Sequence, residues 1–124
     1  MRRASPTLTE QELEIMKIVW SRDSVTVRDV YEALLERRKV AYTTVMTMMK
    51  ILERKKYLRH TQADRAHVYR AAQPQRKVLG AMVKEFVNRV FNGSAEPLLV
   101  HLVEEHNLSA EDLNEIAEMR RSQK

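Results

Sequence analysis

The chain of 124 residues carries 22 Lys and Arg against 17 Asp and Glu, a formal net charge of +5, and it contains 0 Cys and 2 Gly. Without cysteine there can be no disulfide, cysteine-based zinc finger or thiolate nucleophile, and two glycines are too few for a phosphate-binding glycine loop. The basic N-terminus has no apolar segment behind it, and no apolar run approaches the length of a membrane span. We therefore expect a soluble, cytoplasmic protein.

Charge is distributed unevenly along the sequence. Residues 1–70 hold 15 Lys and Arg against 9 Asp and Glu, whereas residues 71–124 hold 7 against 8. The segment from Gly93 to Glu118 contains seven acidic residues and no Lys or Arg. This asymmetry indicates that one half binds a polyanion and the other half has a different role; an ordinary solvated charged surface is the alternative.

Two capping boxes predict the first two helices. Thr9 followed by Glu12 begins a helix that is expected to end near residue 22. Thr26 followed by Asp29 begins a second helix, after a short extended segment at residues 24–26. The first helix has a wide apolar stripe, which is typical of a helix packed on several neighbours.

A third helix, predicted over residues 42–55, has two different faces. At about 100° per residue, the apolar residues group on one side and a row of hydroxyls and cations lies opposite. The apolar face consists of Val45, Met48, Met49 and Leu52, and the polar face consists of Thr43, Thr47, Lys50 and Arg54. We interpret the first face as core and the second as a surface that reads DNA, because an α-helix fits the major groove.

Each residue of this polar face has a predicted role. Hydrogen bonds and methyl groups read base edges, so Thr43, Thr47 and Lys50 are the candidate base contacts. Thr44, at the flank of the face, and Arg54, one turn further on, are candidate phosphate contacts. The predicted DNA-binding set is completed by Tyr42 at the start of the helix and by Arg65 beyond it. The alternative is an ordinary solvated helix face.

Two β-like runs follow, at residues 57–61 and 67–70, separated by a charged turn at residues 62–66. They predict a hairpin with Arg65 at its tip, placed for a phosphate or minor-groove contact. The order is therefore helix, short strand, helix, helix, strand, turn, strand. This is the order of a winged helix-turn-helix, in which the hairpin is the wing, and we assign residues 1–72 to this DNA-binding domain.

The remainder, residues 73–124, is predicted to be helical. A long helix over residues 75–91 ends at Asn92 and Gly93, Ser94 caps the next helix, and Ser109 with Asp112 caps the last one. These helices carry much apolar surface and have no large core of their own, so a second copy of the chain would bury it best. The alternative is that they fold back onto the first half to make one monomeric core.

Several segments together resemble the BlaI/MecI family of penicillinase repressors, and the resemblance covers nearly the whole chain. The similar segments are Leu8-Thr9-Glu10, Ile15-Met16-Lys17-Ile18-Val19-Trp20, Thr26-Val27-Arg28-Asp29-Val30, Ala41-Tyr42-Thr43-Thr44-Val45-Met46-Thr47, Leu52-Glu53-Arg54-Lys55-Lys56, Arg65-Ala66-His67-Val68-Tyr69 and Leu108-Ser109-Ala110-Glu111-Asp112-Leu113.

The resemblance implies a mainly α protein: a winged helix-turn-helix DNA-binding domain followed by a C-terminal helical dimerisation region. It implies a bacterial homodimeric transcriptional repressor that binds a dyad-symmetric DNA operator, not an enzyme, with the third helix in the major groove. No metal or other cofactor is expected. The residues predicted to hold the dimer are Phe86, Val90, Leu98, Leu99, Leu102 and Ile116.

Three positions depart from the family pattern. Ile51 stands where the family often has Arg, and Lys56 replaces the usual Gly at the end of the third helix, which predicts local differences in the groove contacts and in the turn into the wing. In the family a membrane sensor-protease triggers cleavage at an Asn-Phe bond. The matching place here reads His101-Leu102, so regulated cleavage at that bond is not expected.

Two other classes of function stay open at this stage. One is a winged-helix protein-interaction module without sequence-specific DNA binding. The other is a metal-dependent hydrolase built on His101 and Glu105, which stand four residues apart, although His106 misses the spacing that a zinc motif on the same helix face would need.

Overall fold

The computed structural model describes residues 7–63 and 65–122, which form six helices and one β-hairpin. The elements are α1 (Glu10–Trp20), α2 (Val27–Leu35), α3 (Tyr42–Arg54), β1 (Leu58–Ala63), β2 (Ala66–Ala71), α4 (Gln75–Phe91), α5 (Ala95–His106) and α6 (Ala110–Ser122). The chain divides into two compact units, one up to Met82 and one from Val83. The predicted order of elements is confirmed, and the fold of the first unit is a winged helix-turn-helix.

Both predicted capping boxes are present in the first unit. The backbone amide of Glu12 donates to Thr9 Oγ1 at 3.1 Å, and the Thr9 amide donates to Glu12 Oε1 at 2.9 Å. Thr26 and Asp29 make the same reciprocal pair at 3.1 and 2.9 Å. Because each box satisfies two amides that have no partner inside the helix, both boxes fix where their helices begin.

The core of the first unit lies between the helices and the hairpin. The apolar face of α3 supplies Val45, Met49 and Leu52, which are fully buried, while Met48 is half-buried at its edge. The short extended segment before α2 joins the hairpin: Val25 and Tyr69 exchange backbone hydrogen bonds of 2.7 and 3.0 Å. The remaining buried apolar residues of this core are Leu8, Ile15, Met16, Val19, Val30, Leu34, Tyr57, Leu58 and Val78.

The wing is longer and its turn is tighter than the sequence predicted. β1 and β2 are antiparallel and stay paired from Leu58 opposite Ala71 to Ala63 opposite Ala66. The predicted turn over residues 62–66 was therefore wrong, because Ala63 and Ala66 already belong to the strands. Arg65 adopts the left-handed conformation with φ 71°, which lets the chain reverse within a short connection.

The end of α3 keeps a glycine-type turn without glycine. Lys56 has φ 73°, its amide donates to the Glu53 carbonyl at 3.0 Å, and the Tyr57 amide donates to the Leu52 carbonyl at 2.9 Å. These two bonds are the Schellman pattern, in which a left-handed residue terminates the helix. Burial of Tyr57 against the core holds Lys56 in a conformation that costs a non-glycine residue free energy.

The second unit consists of the last part of α4 together with α5 and α6. Rings of Phe86 and Phe91 contact edge to face at 5.9 Å, and Phe91 lies 6.0 Å from the His101 ring. The predicted capping box of α6 is confirmed by reciprocal hydrogen bonds between Ser109 and Asp112.

Ser94 behaves differently from the prediction. It occupies the residue before α5, but its side chain does not cap the helix backbone. Its hydroxyl instead donates to Glu96 Oε1 at 2.9 Å. The prediction that Ser94 caps α5 was therefore right in its position and wrong in its side-chain hydrogen bond.

Candidate DNA-binding face

The polar residues of α3 all lie on the surface of the first unit. Thr43, Thr44, Thr47, Lys50 and Arg54 are exposed, while the opposite side of the same helix is fully buried. Packing therefore determines which way α3 faces, and that orientation leaves a continuous row of hydroxyl and cationic groups in solvent. This row can donate and accept hydrogen bonds and can offer methyl groups, which are the chemical functions that read base edges.

The start of α3 lacks the side-chain caps seen on α1 and α2. Ala41 precedes the helix with an extended backbone and no capping side chain, and the first turn contains no acidic residue. The first amides of α3 and the positive end of its dipole are therefore available to an outside anion. A phosphate group is suited to such a helix start.

Tyr42 and Arg65, which are far apart in sequence, line one cleft between α3, the start of α2 and the tip of the wing. Tyr42 is 39 % exposed and its ring packs edge to face on Tyr31 at 5.3 Å. The cleft is lined by Thr26, Val27, Arg28, Tyr42, Met46, Arg65, Ala66 and His67. The two predicted residues thus share a site with two cations or potential cations, Arg28 and His67, that sequence reasoning did not single out.

A signal for each missed residue was present in the sequence. Arg28 is the second residue of α2, a capped helix. In the helix-turn-helix motif, α2 comes directly before α3, the helix predicted to read DNA. His67 and Tyr69 are two residues apart on β2, so their side chains lie on the same face of the hairpin. What the sequence did not provide was the packing that brings both to Tyr42.

Lys50 and Arg54 lie further along α3 and do not line this cleft. At about 100° per residue, Tyr42, Met46 and Glu53 form one stripe of α3, and Lys50 stands between that stripe and the threonines. The face predicted from sequence is therefore continuous with the cleft. One edge of α3 lies beside the wing, and the adjacent edge, which carries the exposed polar row, is open to solvent.

Below the cleft, the wing contacts α3 through polar groups. His60 Nδ1 lies 2.5 Å from Glu53 Oε2, and the rings of His60 and His67 stack with centroids 4.4 Å apart. Tyr69 lies beneath them, and burial, followed by the charge of Glu53, raises the pKa of its hydroxyl. The hydroxyl therefore stays neutral in the physiological range.

An ion pair connects the far end of α3 to the start of α1. Lys55 Nζ donates to Glu12 Oε1 at 2.8 Å and to the Thr7 carbonyl at 3.3 Å. Burial alone would raise the pKa of Glu12, but the hydrogen bonds from Lys55 and from the Thr9 amide together outweigh it, so its pKa lies below the ordinary 4.5. The buried carboxylate is thus held charged, and its ion pair with Lys55 anchors the end of the helix that carries the exposed polar row.

The predicted dimer residues lie in the second unit and are largely solvent-accessible. Phe86, Val90, Leu99, Leu102 and Ile116 are between 38 % and 51 % exposed, and Leu98 is half-buried. Neither α5 nor α6 buries any residue. The apolar side chains of the second unit are therefore less buried than those that form the core of the first unit.

Neither a metal centre nor a membrane span is found in the described ranges. Within residues 7–63 and 65–122, no three His, Asp or Glu side chains are arranged to hold a metal ion, so His101 and Glu105 are not part of such a group. None of the helices in these ranges is both long and apolar enough to cross a membrane.

Comparison with known proteins identifies the family of the chain. The model of the penicillinase repressor family matches residues 8–121. The transcriptional regulator BlaI of Mycobacterium tuberculosis is 40% identical over 99 residues, which are 78% of this chain and 72% of the relative.

Two solved structures are similar to the first unit. The solution structure of the DNA binding domain of the repressor BlaI has a TM-score of 0.53 and 27% identity, covering 60% of this chain and 90% of that one. The Bacillus licheniformis BlaI monomeric form in complex with the blaP half-operator has a TM-score of 0.50 with the same identity and coverage. The chain accordingly belongs to the penicillinase repressor family and is a DNA-binding transcriptional repressor.

Proposed function

We propose that the chain acts as a homodimer that represses transcription by binding a dyad-symmetric operator, with one α3 helix in the major groove of each half-site. The observation that carries this proposal is the exposed row on α3, whose opposite face is fixed in the core. Two symmetry-related helices would enter successive grooves about one helical turn, or a multiple of it, apart.

The chemistry of the row divides it into two kinds of contact. Thr43, Thr47 and Lys50 are proposed to read base edges, since Lys recognises guanine acceptors and threonine methyls contact thymine. Thr44 and Arg54 are proposed to hold phosphates on either side, and they fix the register of the helix without reading sequence.

The cleft beside α3 is proposed to bind the backbone of the DNA strand that α3 contacts. The cleft is lined by Tyr42, Arg28 and Arg65. The start of α3 has no side-chain cap, so its first amides could bind an anion such as a phosphate. A phosphate seated there would set the depth at which α3 enters the groove. Arg65, exposed at the wing tip, would contact the backbone or minor groove next to it.

We propose that residues 73–124 form the dimerisation region. The support is the exposed apolar set of the second unit, because two copies could bury against each other what one copy leaves in water. His101 and Leu102, which lie inside α5, stand where the family has its cleaved Asn-Phe bond. We therefore expect derepression without cleavage at that bond.

The test begins by selecting bound sequences from random duplex DNA with the full chain, followed by affinity measurements on the selected operator. Lys50→Ala should cost about 1 to 3 kcal/mol and relax preference at one base pair. Arg65→Ala should weaken all duplexes to a similar extent and reduce the salt dependence.

The matched control is Lys84→Ala, which removes an exposed cation from the second unit and should leave both affinity and preference unchanged. If Lys50→Ala and Arg65→Ala behave like this control, the assignment of the face is wrong. Weak binding without any sequence preference would instead support the protein-interaction module.

A further inference from the structure

Two of the four histidines of the chain stack on each other at the joint between the wing and α3. His60 pairs with Tyr69 across the hairpin and His67 pairs with Gln62, so the two imidazoles are diagonal neighbours on one face. Their ring planes are 22° apart. Imidazole is the side chain that most readily accepts a proton near neutral pH in proteins, and two imidazoles are in direct contact here.

The charges around the pair come from three elements. Glu53 of α3 contacts His60, while Arg28 of α2 and Arg65 of the wing tip line the same cleft as His67. Lys50 and Arg54 are exposed cations of α3, three residues before and one residue after Glu53. Arg59 and Arg70 belong to the opposite face of the hairpin, because side chains alternate along a strand.

Among these groups, one carboxylate contacts the stacked pair and two arginines line the same cleft as His67. The Glu53 carboxylate balances a single positive charge on the stacked pair, and a second would stand over the first at 4.4 Å, beside two arginines. An anion seated in the cleft would supply the missing countercharge, since a nearby opposite charge favours the charged form of a titrating group.

We propose that His60 and His67 form a proton-binding element of the DNA interface, in which DNA binding takes up a proton and His67 contacts a phosphate as an imidazolium. Glu53 holds His60 in place and thereby positions His67 at the cleft. This inference rests on the proposed seating of the DNA backbone in the cleft. It makes operator affinity depend on pH through two named side chains.

The proposal has two measurable consequences. Linkage requires that affinity rise as pH falls from 8 to 6, by up to about tenfold per pH unit for each proton taken up. The additional cation also releases a counterion, so the slope of log affinity against log salt should be steeper at pH 6 than at pH 8, by about 0.9. A purely structural role of the stacked rings would not change the salt slope.

The experiment measures binding of the full chain to its selected operator duplex at pH 6 and pH 8, each at several salt concentrations. His67→Gln, neutral at both pH values, should lose most of the pH dependence and the steeper slope. His67→Lys, charged at both, should show the steeper slope at pH 8 as well and little pH dependence. His106→Gln, an exposed histidine at the end of α5, is the matched control and should behave as the unsubstituted chain.

Full pH dependence in His67→Gln, or equal affinity of the unsubstituted chain at the two pH values, would overturn the proposal. Sequence-specific binding without pH dependence would remove this element and leave the DNA face intact. Loss of sequence-specific binding at both pH values would instead count against the proposed function.

Discussion

The two units of this chain handle their apolar residues in opposite ways. In the first unit the apolar faces of α1, α2 and α3 pack with the hairpin and are buried in one core. The polar side of α3 is therefore the side exposed to solvent. In the second unit α5 and α6 bury no residue, and large apolar side chains stay accessible. The first unit is completed by its own residues, and we propose that a second copy of the chain completes the second unit. The same helical periodicity thus forms a buried core in one segment and leaves large apolar side chains accessible in another.

The largest expected effect is on the stability of the first unit, through its buried core. Leu52 is fully buried and Leu99 is 51 % exposed, so the same truncation should have different consequences. Leu52→Ala should lower the free energy of unfolding of the first unit by about 2 to 5 kcal/mol. Denaturant titration followed by the fluorescence of Trp20, the only Trp of the chain, measures this unit.

Leu99→Ala is the paired variant. It should leave the Trp20 transition nearly unchanged at low protein concentration and should weaken self-association instead. Equal losses in the two variants at every protein concentration would show that Leu99 belongs to a monomeric core.

The next effect concerns pH and belongs to the first unit alone. The pKa of Glu12 is below its ordinary value in the folded chain, so the pair with Lys55 stabilises above the unfolded pKa and that stabilisation is lost as pH falls through the folded pKa. Glu12→Gln should lower the free energy of unfolding at pH 7 by about 1 to 3 kcal/mol and flatten its decline below about pH 5.

Glu104→Gln supplies the comparison, because Glu104 is an exposed carboxylate of α5. It should change neither the stability at pH 7 nor the acid dependence seen by Trp20. A decline in Glu12→Gln as steep as in the unsubstituted chain would contradict the role given to the Glu12–Lys55 pair.

The smallest effect is a gain in stability. Lys56→Gly should stabilise the first unit by up to about 1 kcal/mol, because glycine adopts a positive φ without the cost that a side chain imposes, less the entropy that glycine adds to the unfolded chain. The Trp20 transition should move to higher denaturant while the second unit is unaffected. A loss of stability would mean that the Lys56 side chain contributes more than its backbone conformation costs.

Much of the first unit could be predicted because its signals are local. Thr9 and Thr26 define helix starts through partners three residues away, and the two faces of α3 follow from a period that the sequence displays directly. The family resemblance agreed with the interpretation of the polar face as a surface that reads DNA.

The remainder depends on contacts between distant residues. Glu12 and Lys55 are 43 positions apart, and the stacking of His60 on His67 requires the strand register, which the sequence predicted with too long a turn. Arg28 joins the cleft only because α2 packs beside the wing tip. Ser94 shows that a suitable residue at the N-cap position does not always make the side-chain hydrogen bond to the helix.

We propose that the first unit reads DNA and that the second unit joins two copies of the chain. The most direct test is the affinity of the unsubstituted chain and of Leu99→Glu for duplexes carrying one half-site or the full selected operator. We predict that both proteins bind the single half-site equally, and that only the unsubstituted chain gains affinity on the full operator. Loss of half-site binding in Leu99→Glu, or an undiminished gain on the full operator, would contradict the account.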